Sequence, residues 1–422
     1  MKRKQHVFDY KWVIVVLCFL MVFTCLGFCS SNASIYTLAI TEALEIKRGV
    51  FSIGNSCRYV TTAVVNIFFG ALVQKFGTKK LICAGVLSLV GSCFLRVIGT
   101  NVIYFYISGC LLGMGLAWTT TTMVGAVIGK WCKENKATIM GAVLASNGLG
   151  GALAAQIITP IIYEEGNPFG YRNSYKMVIG ILLVLMVLIA IFYKENPSGQ
   201  NKPVVINKKK PLGRSWSGIE YKSAMRKPYF YCMTACIFIT GMVLHSISSV
   251  THLQDLGIDI KFITAMLSLN SLALACSKFL NGFLYDRLGL RITVLICDLS
   301  SVLAMIFMFV ITNSSTGRIL AVAYFIMSAI SLPLETVMLP IFVGDFFGEK
   351  SFNSILGMIV SINTAGYALG APLGGWVYDH FGTYRPLFLV CGILMAIVAI
   401  TFQIIVSVAH KDRQEILEKE AV

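Results

Sequence analysis

The sequence predicts an all-α polytopic membrane protein, with twelve transmembrane helices in two pseudo-symmetric six-helix halves. Three observations predict it. Apolar stretches long enough to cross a bilayer recur along the whole chain, basic residues crowd alternate connections, and the second half repeats motifs of the first. Of 422 residues, 56% are hydrophobic and 13% charged, and the mean hydropathy is +0.76. Soluble domains carry about 25% charged residues, so this composition excludes a soluble enzyme, a disordered chain and a disulfide scaffold. The net charge of +15 is spread over short gaps between apolar runs rather than gathered in one patch, which argues against nucleic-acid binding. The 13 cysteines are an odd number, and most lie inside apolar runs, as Cys18, Cys93, Cys110, Cys236 and Cys391 do. With no Cys-x-x-Cys among them they read as small buried hydrophobes, and neither a metal site nor a cofactor is expected.

A membrane-crossing helix needs about 20 mostly apolar residues. The first span is placed at 12–39. Lys2, Arg3 and Lys4 ahead of it imitate a signal peptide, but residues 12–41 form 30 positions without a charged side chain. A signal core is about 7–15 residues, so this helix is read as retained, with Tyr10 and Trp12 as interfacial anchors. The second span, 50–74, follows Lys47 and Arg48. The third, 80–98, and the fourth, 102–129, are separated by Gly99-Thr100-Asn101. The fifth, 137–163, and sixth, 175–193, complete the first half, 1–193. Residues 194–227 hold nine basic residues and only Glu195 and Glu220, broken by Pro197, Gly199, Pro203, Pro211 and Gly213. That composition reads as a solvated linker held at an anionic lipid surface. The second half, 228–409, carries spans at 228–253, 262–285, 292–312, 318–344, 352–377 and 385–409, and a tail at 410–422. The lengths and the lack of period-2 alternation exclude a β-barrel.

If the N-terminus is cytoplasmic, cytoplasmic connections hold 25 of the 35 Lys and Arg residues and the opposite loops only seven. The asymmetry predicts a multi-pass protein of the plasma membrane with both termini cytoplasmic. The halves also repeat. Gly70-Ala-Leu-Val-Gln74-Lys-Phe-Gly77-Thr-Lys79 recurs as Gly282-Phe-Leu-Tyr-Asp286-Arg287-Leu-Gly289-Leu-Arg291, an offset of 212, and Gly141, Asn147 and Gly150 recur as Gly357, Asn363 and Gly366, an offset of 216. Such parallel repeats mark transporter halves related by an axis along the membrane normal. Small residues dominate the fifth and eleventh spans and permit close helix approach. Pro333 and Pro340 in the tenth and Pro372 in the eleventh fit broken or bent helices.

Twelve spans, a basic central loop and the Gly-x-x-x-Asp-Arg-x-Gly-x-Arg loop resemble the major facilitator superfamily over essentially the whole chain. The resemblance implies a gating loop on the cytoplasmic side, formed here by Gly70, Gly77, Gly282, Asp286, Arg287, Gly289 and Arg291. Gln74 stands where the first-half loop of the family has its acid. Gly375-x-x-x-Asp379 echoes the pattern after the eleventh span.

Ionisable groups deep in a span cost about 2.5–3.5 kcal/mol on insertion scales and usually face protein or water. Arg58 lies about 12 Å along its helix from the outer end, near the midplane. Its guanidinium either pairs two helices or binds an anion in a central cavity, for which its planar fork suits a carboxylate. Lys278 in the eighth span either snorkels to the interface or is the second cation of that cavity. Its position resembles that of the substrate-binding Arg of the oxalate–formate antiporter and monocarboxylate transporter group. This chain has Leu274 where the monocarboxylate carriers place an Asp, and Asn363-Thr364-Ala365-Gly366 where the oxalate–formate carriers have a Lys. Glu335 either takes up a coupling proton or pairs with Lys278 or Arg58. His245 and His252 in the seventh span either titrate near neutral pH or are hydrogen-bonded packing, with His245 the second proton-coupling candidate. Asp298 reads as structural, as a partner for the Arg291 loop. Asn32, Tyr36, Trp118 and Asn270 are candidate cavity lining. No nucleophile elbow, phosphate-cradling loop or paired-His motif is present, so no enzyme is expected.

The reading is a monomeric secondary transporter of small organic anions, mono- or dicarboxylates, working by alternating access and driven by protons or by an exchanged anion. A drug-efflux carrier with an aromatic cavity is the rival reading, and a non-transporting receptor the remoter one.

Overall fold

The computed structural model describes residues 10–46, 48–132, 134–164, 167–195, 218–246 and 249–419, so most of the basic linker lies outside the described residues. The side chains of Pro372 and Asp379 lie outside the described part as well. The described residues form helices and turns and no strand. Ten of their helices or helix pairs are long and apolar enough to cross a bilayer, and a bent pair, Ile53–Ile67 with Phe69–Phe76, adds another. The longest of these, Leu269–Val310, contains two spans, because Gly289 breaks it with a φ of 79°. Twelve spans result. Their apolar flanks face outward, with Val184, Ile191, Ile319, Ile393 and Ile400 exposed where lipid would cover them.

The repeat is written into the backbone. Gly77 and Gly289, 212 residues apart, hold the same conformation, φ 79° with ψ 165° and 176°, which an L side chain rarely adopts. Gly141 of the fifth span lies against the carbonyl of Lys278 in the eighth, and Gly357 of the eleventh lies against the carbonyl of Asn66 in the second. These are equivalent contacts, since Asn66 and Lys278 also differ by 212. The small residues of the repeat thus let fifth cross eighth and second cross eleventh with backbone almost touching backbone.

Three helices depart from a simple span. The first winds as Lys11–Val22, a π-helical stretch Phe23–Phe28 and Ala33–Ala43. The wide turn brings Gly27 onto the backbone of Gly150 and Gly151, where a Cβ would stand 2.7 Å from the Gly150 carbonyl carbon. The fourth is interrupted at Thr120 between Val102–Thr119 and Thr121–Trp131. The tenth, as Pro333 leads one to expect, runs from Ser315–Ser331 through a 3-10 turn, Leu332–Glu335, into Met338–Phe347. The eleventh, Phe352–Phe381, continues without interruption through Pro372.

Contacts between the halves gather toward the face that carries both described ends of the chain. On the fifth span they run from Lys136 to Gly148, on the second from Tyr59 to Gly70, on the eighth from Ser271 to Asp286 and on the eleventh from Ser354 to Tyr367. The halves therefore meet between the midplane and the termini face.

Candidate functional site

The loops at the termini face form a latch. The Asp286 carboxylate accepts hydrogen bonds from the Thr138 backbone N–H at 2.8 Å and from the Thr138 hydroxyl at 2.6 Å, in the first turn of the fifth span, Lys136–Ile162. A carboxylate is favoured there, because helix N-termini leave unpaired N–H groups and a partial positive charge. Beside it, Lys136 pairs with Glu349 at 2.6 Å, the lysine part-exposed and the glutamate largely exposed, and Gly70 sits on Ser354. The two arginines of the motif work elsewhere. Arg291 donates to the Gln403 side chain of the twelfth span at 3.2 Å, and Arg287 lies over the Phe283 ring at 5.0 Å. In the first half, where Gln74 replaces the acid, Glu195 caps the third span by accepting from Thr78 N–H at 2.7 Å. Exposed pairs are worth about 0–1 kcal/mol. Lys136→Ala should therefore leave the thermal unfolding midpoint within a few degrees of wild type. Asp286→Ala, which strips two charge-assisted bonds, should lower it clearly more in the same melt.

A chain of rings crosses from one half to the other near the midplane. Glu335, 5% exposed at the 3-10 turn of the tenth span, places Oε2 3.6 Å from His245 Nδ1 of the seventh, Pro228–Ser246. That separation is ion-pair reach and too long for a hydrogen bond. Tyr367 and Asn363 of the eleventh span lie beside the same carboxyl, whose Oε1 has no hydrogen-bond partner among the described residues. His245 stacks on Tyr367 at 3.8 Å between centroids, Tyr367 meets Tyr59 of the second span edge-on at 6.1 Å, and the Arg58 guanidinium lies 5.1 Å from the Tyr59 ring. Glu335 thus faces His245, and the expected partners Arg58 and Lys278 do not form an ion pair with it among the described residues.

Arg58 also lines a pocket of the first half, with Tyr36, Thr37, Asn55, Arg96 and Tyr175, enclosing about 20 Å³. Tyr36 shares a 2.6 Å hydrogen bond with Ser174 and stacks on Tyr175 at 4.2 Å. Arg96 on the third span donates from Nε to Ser108 Oγ at 2.6 Å and from Nη1 to Tyr175 Oη at 2.9 Å. Lys278, 4% exposed, does not line this pocket and has no carboxylate partner among the described residues.

Other expected residues take different places. The Asn32 amide donates to the Gly27 carbonyl at 3.4 Å and the Gly151 carbonyl at 3.1 Å, so Asn32 ties the first span to the fifth rather than lining the pocket. Trp118 stands against Gly85 of the third span, and its indole N–H is buried without a partner among the described residues. Asn270 keeps a buried, unpartnered Oδ1. His252 packs on Phe388 at 4.8 Å. Asp298 is fully buried, and neither carboxylate oxygen has a partner among the described residues; the expected partner Arg291 donates to Gln403 instead. Sequence reasoning passed over Arg96, Tyr175, Asn363 and Tyr367. Arg96 carried a signal, a third basic residue inside an apolar span, and Asn363 carried one as the repeat partner of Asn147; the tyrosines carried none above their neighbours.

The sequence profile of the Major Facilitator Superfamily matches residues 15–253 and 231–421. Monocarboxylate transporter 13 of Rattus norvegicus is 26% identical over 326 residues, 76% of this chain and 72% of its own length. The sialic acid transporter NanX of Escherichia coli is 22% identical over 335 residues, 76% of this chain and 76% of its own. Among solved structures, the fucose:proton symporter FucP of E. coli superposes with a TM-score of 0.69 at 14% identity, over 94% of this chain and 99% of that one.

Proposed function

The chain belongs to the Major Facilitator Superfamily, and on that premise we propose that it is a secondary active carrier of small organic anions, mono- or dicarboxylates. One observation carries the reading. Lys278 is buried and Arg58 half-buried inside the membrane span, yet neither has a carboxylate partner among the described residues. Buried charge left unpaired in the protein is expensive, and an anionic cargo would neutralise it. The solutes named for the relatives, monocarboxylate and sialic acid, are organic anions too.

With both termini cytoplasmic, as the basic connections favour, the latch closes the inner side, and cargo reaches the midplane from outside. Cargo and proton then meet across one ring chain. Arg58 stands at its first-half end, and the Glu335–His245 pair at its second-half end. Protonation of that pair on the outer side and its release inside would couple uptake to a pH gradient. An exchanged anion would serve where no gradient exists.

The test is exchange in proteoliposomes preloaded with unlabelled carboxylate and offered a panel of labelled ones. Accelerated exchange of at least one is expected, and silence across the panel by folded protein would overturn the reading. Arg58→Gln should raise the half-saturating concentration about tenfold to a hundredfold, because one hydrogen bond to a charged group is worth about 1.5–3 kcal/mol. Lys278→Gln should shift it in the same direction.

A further inference from the structure

We infer that Arg58 and Arg96 form an anion site inside the first half, sized for one small monovalent group, either a halide or the carboxylate head of the cargo. The inference deepens the organic-anion reading and rests on it only for the second of these sources.

Both guanidiniums line the same partly open space, about 20 Å³, between the first, second, third, fourth and sixth spans. A single water-sized group needs about 10–15 Å³ on this measure, so one small ion fits and a bulky solute does not. Arg96 is held rather than free. Its Nε and Nη1 are spent on Ser108 and Tyr175, and Tyr175 is itself fixed by stacking on Tyr36. Nη2 has no hydrogen-bond partner among the described residues, although a guanidinium carries five donors. The Arg58 guanidinium makes no hydrogen bond to any described residue and rests only on the Tyr59 ring. Among the described residues no carboxylate lines the pocket: the other polar groups there are Tyr36, Thr37, Asn55, Tyr175 and the Cys29 thiol. Two guanidiniums therefore share a small space whose other polar lining groups, among the described residues, are neutral. Like charges at close quarters in a low-dielectric interior repel strongly, and an anion between them turns that repulsion into two charge-assisted contacts. A merely structural Arg96 would explain its two hydrogen bonds, but not the second unneutralised guanidinium facing the same space.

The test is binding to the purified full-length protein, read as a thermal shift during titration with sodium chloride, sodium acetate or sodium isethionate at constant ionic strength. Chloride or acetate is expected to raise the midpoint saturably, and the bulkier isethionate is not. Arg58→Gln and Arg96→Gln should each weaken that binding at least tenfold. Arg96→Lys, which keeps the charge, should lose less, and Lys136→Ala should bind as wild type. Arg96→Lys and Arg58→Gln keep the test decisive should Arg96→Gln fail to fold. Competition separates the sources. Acetate that displaces chloride and competes with labelled carboxylate in exchange marks the pocket as the seat of the cargo head group. Chloride binding that acetate does not disturb marks a halide site. Either result with the arginine dependence supports the site, and saturable binding without any carboxylate exchange would leave the site standing while the cargo reading falls. Absence of saturable binding to wild type, or unchanged binding in both Arg→Gln variants, would overturn the inference.

Discussion

Glu335→Gln is expected to carry out exchange but not accumulation. In proteoliposomes with an imposed pH gradient, gradient-driven uptake should fall at least tenfold, while counterflow of labelled against unlabelled carboxylate continues at a comparable rate. Glu335 sits at the 3-10 turn that contains Pro333 in the tenth span, 5% exposed, with its Oε2 3.6 Å from His245 Nδ1. The amide keeps the shape and the hydrogen-bonding capacity of the acid but cannot take up or lose the proton. Cargo can still cross, because the cations at Arg58 and Lys278 remain, whereas the step that ties crossing to the gradient is gone. The stack of His245 on Tyr367 and the edge contact of Tyr367 with Tyr59 connect this group to the opposite half, so a proton taken up there would act where the halves meet. A Glu335→Gln protein that accumulates carboxylate against a pH gradient like wild type would remove Glu335 from coupling and leave it a structural partner of His245.

What the sequence made legible, and what it did not, divides along a physical line. Hydropathy reports depth, so the twelve spans could be read from runs of apolar residues. Small residues and the Gly-x-x-x-Asp loop report close approach and tight turns, which are local demands on the backbone, and Gly77, Gly289, Gly141 and Gly357 sit where the repeat placed them. The azimuth of a side chain around its helix is a different matter. Whether Arg58 turns toward Lys278 or toward Arg96 depends on how the second span packs on the third and fourth, and one sequence carries little of that information. The expected pairing of Asp298 with the Arg291 loop failed for the same reason. Arg291 reaches the twelfth span at Gln403, and the carboxyl of Asp298 points into the second half's own packing. The π-helical turn at Phe23–Phe28 was invisible too. It packs on Gly150 and Gly151, from a helix more than a hundred residues away.

Gly282→Val should trap the protein with its termini face open. At Gly282 the eighth span passes so close to the fifth that an added Cβ would lie 2.7 Å from the Ala137 carbonyl carbon and 3.0 Å from Thr138 Cα. Backbone atoms cannot step aside, so the helices must separate, and overpacking of this kind costs about 1–3 kcal/mol. The penalty applies only where the two spans touch, which is the arrangement held by Asp286 on Thr138. An arrangement in which that face has parted leaves room for the side chain and carries no penalty. A cost confined to one of two states moves the equilibrium by its full amount, here about fivefold to more than a hundredfold toward the open face. Spin labels in place of Lys136 and Glu349, whose side chains lie 2.6 Å apart in the closed arrangement, give the readout. Their distance distribution should lengthen in the variant, and exchange in proteoliposomes should fall with it, because a carrier held on one side cannot complete the cycle. Asp286→Asn should move the same distribution part of the way, since it weakens the latch without filling the crossing. A Gly282→Val protein that elutes as a folded species with an unchanged distribution would show that the fifth and eighth spans do not part at this point. The crossing glycines would then be packing devices alone, and the hinge of any alternation would have to lie at the second and eleventh spans, where Gly70 and Gly357 make the equivalent contacts.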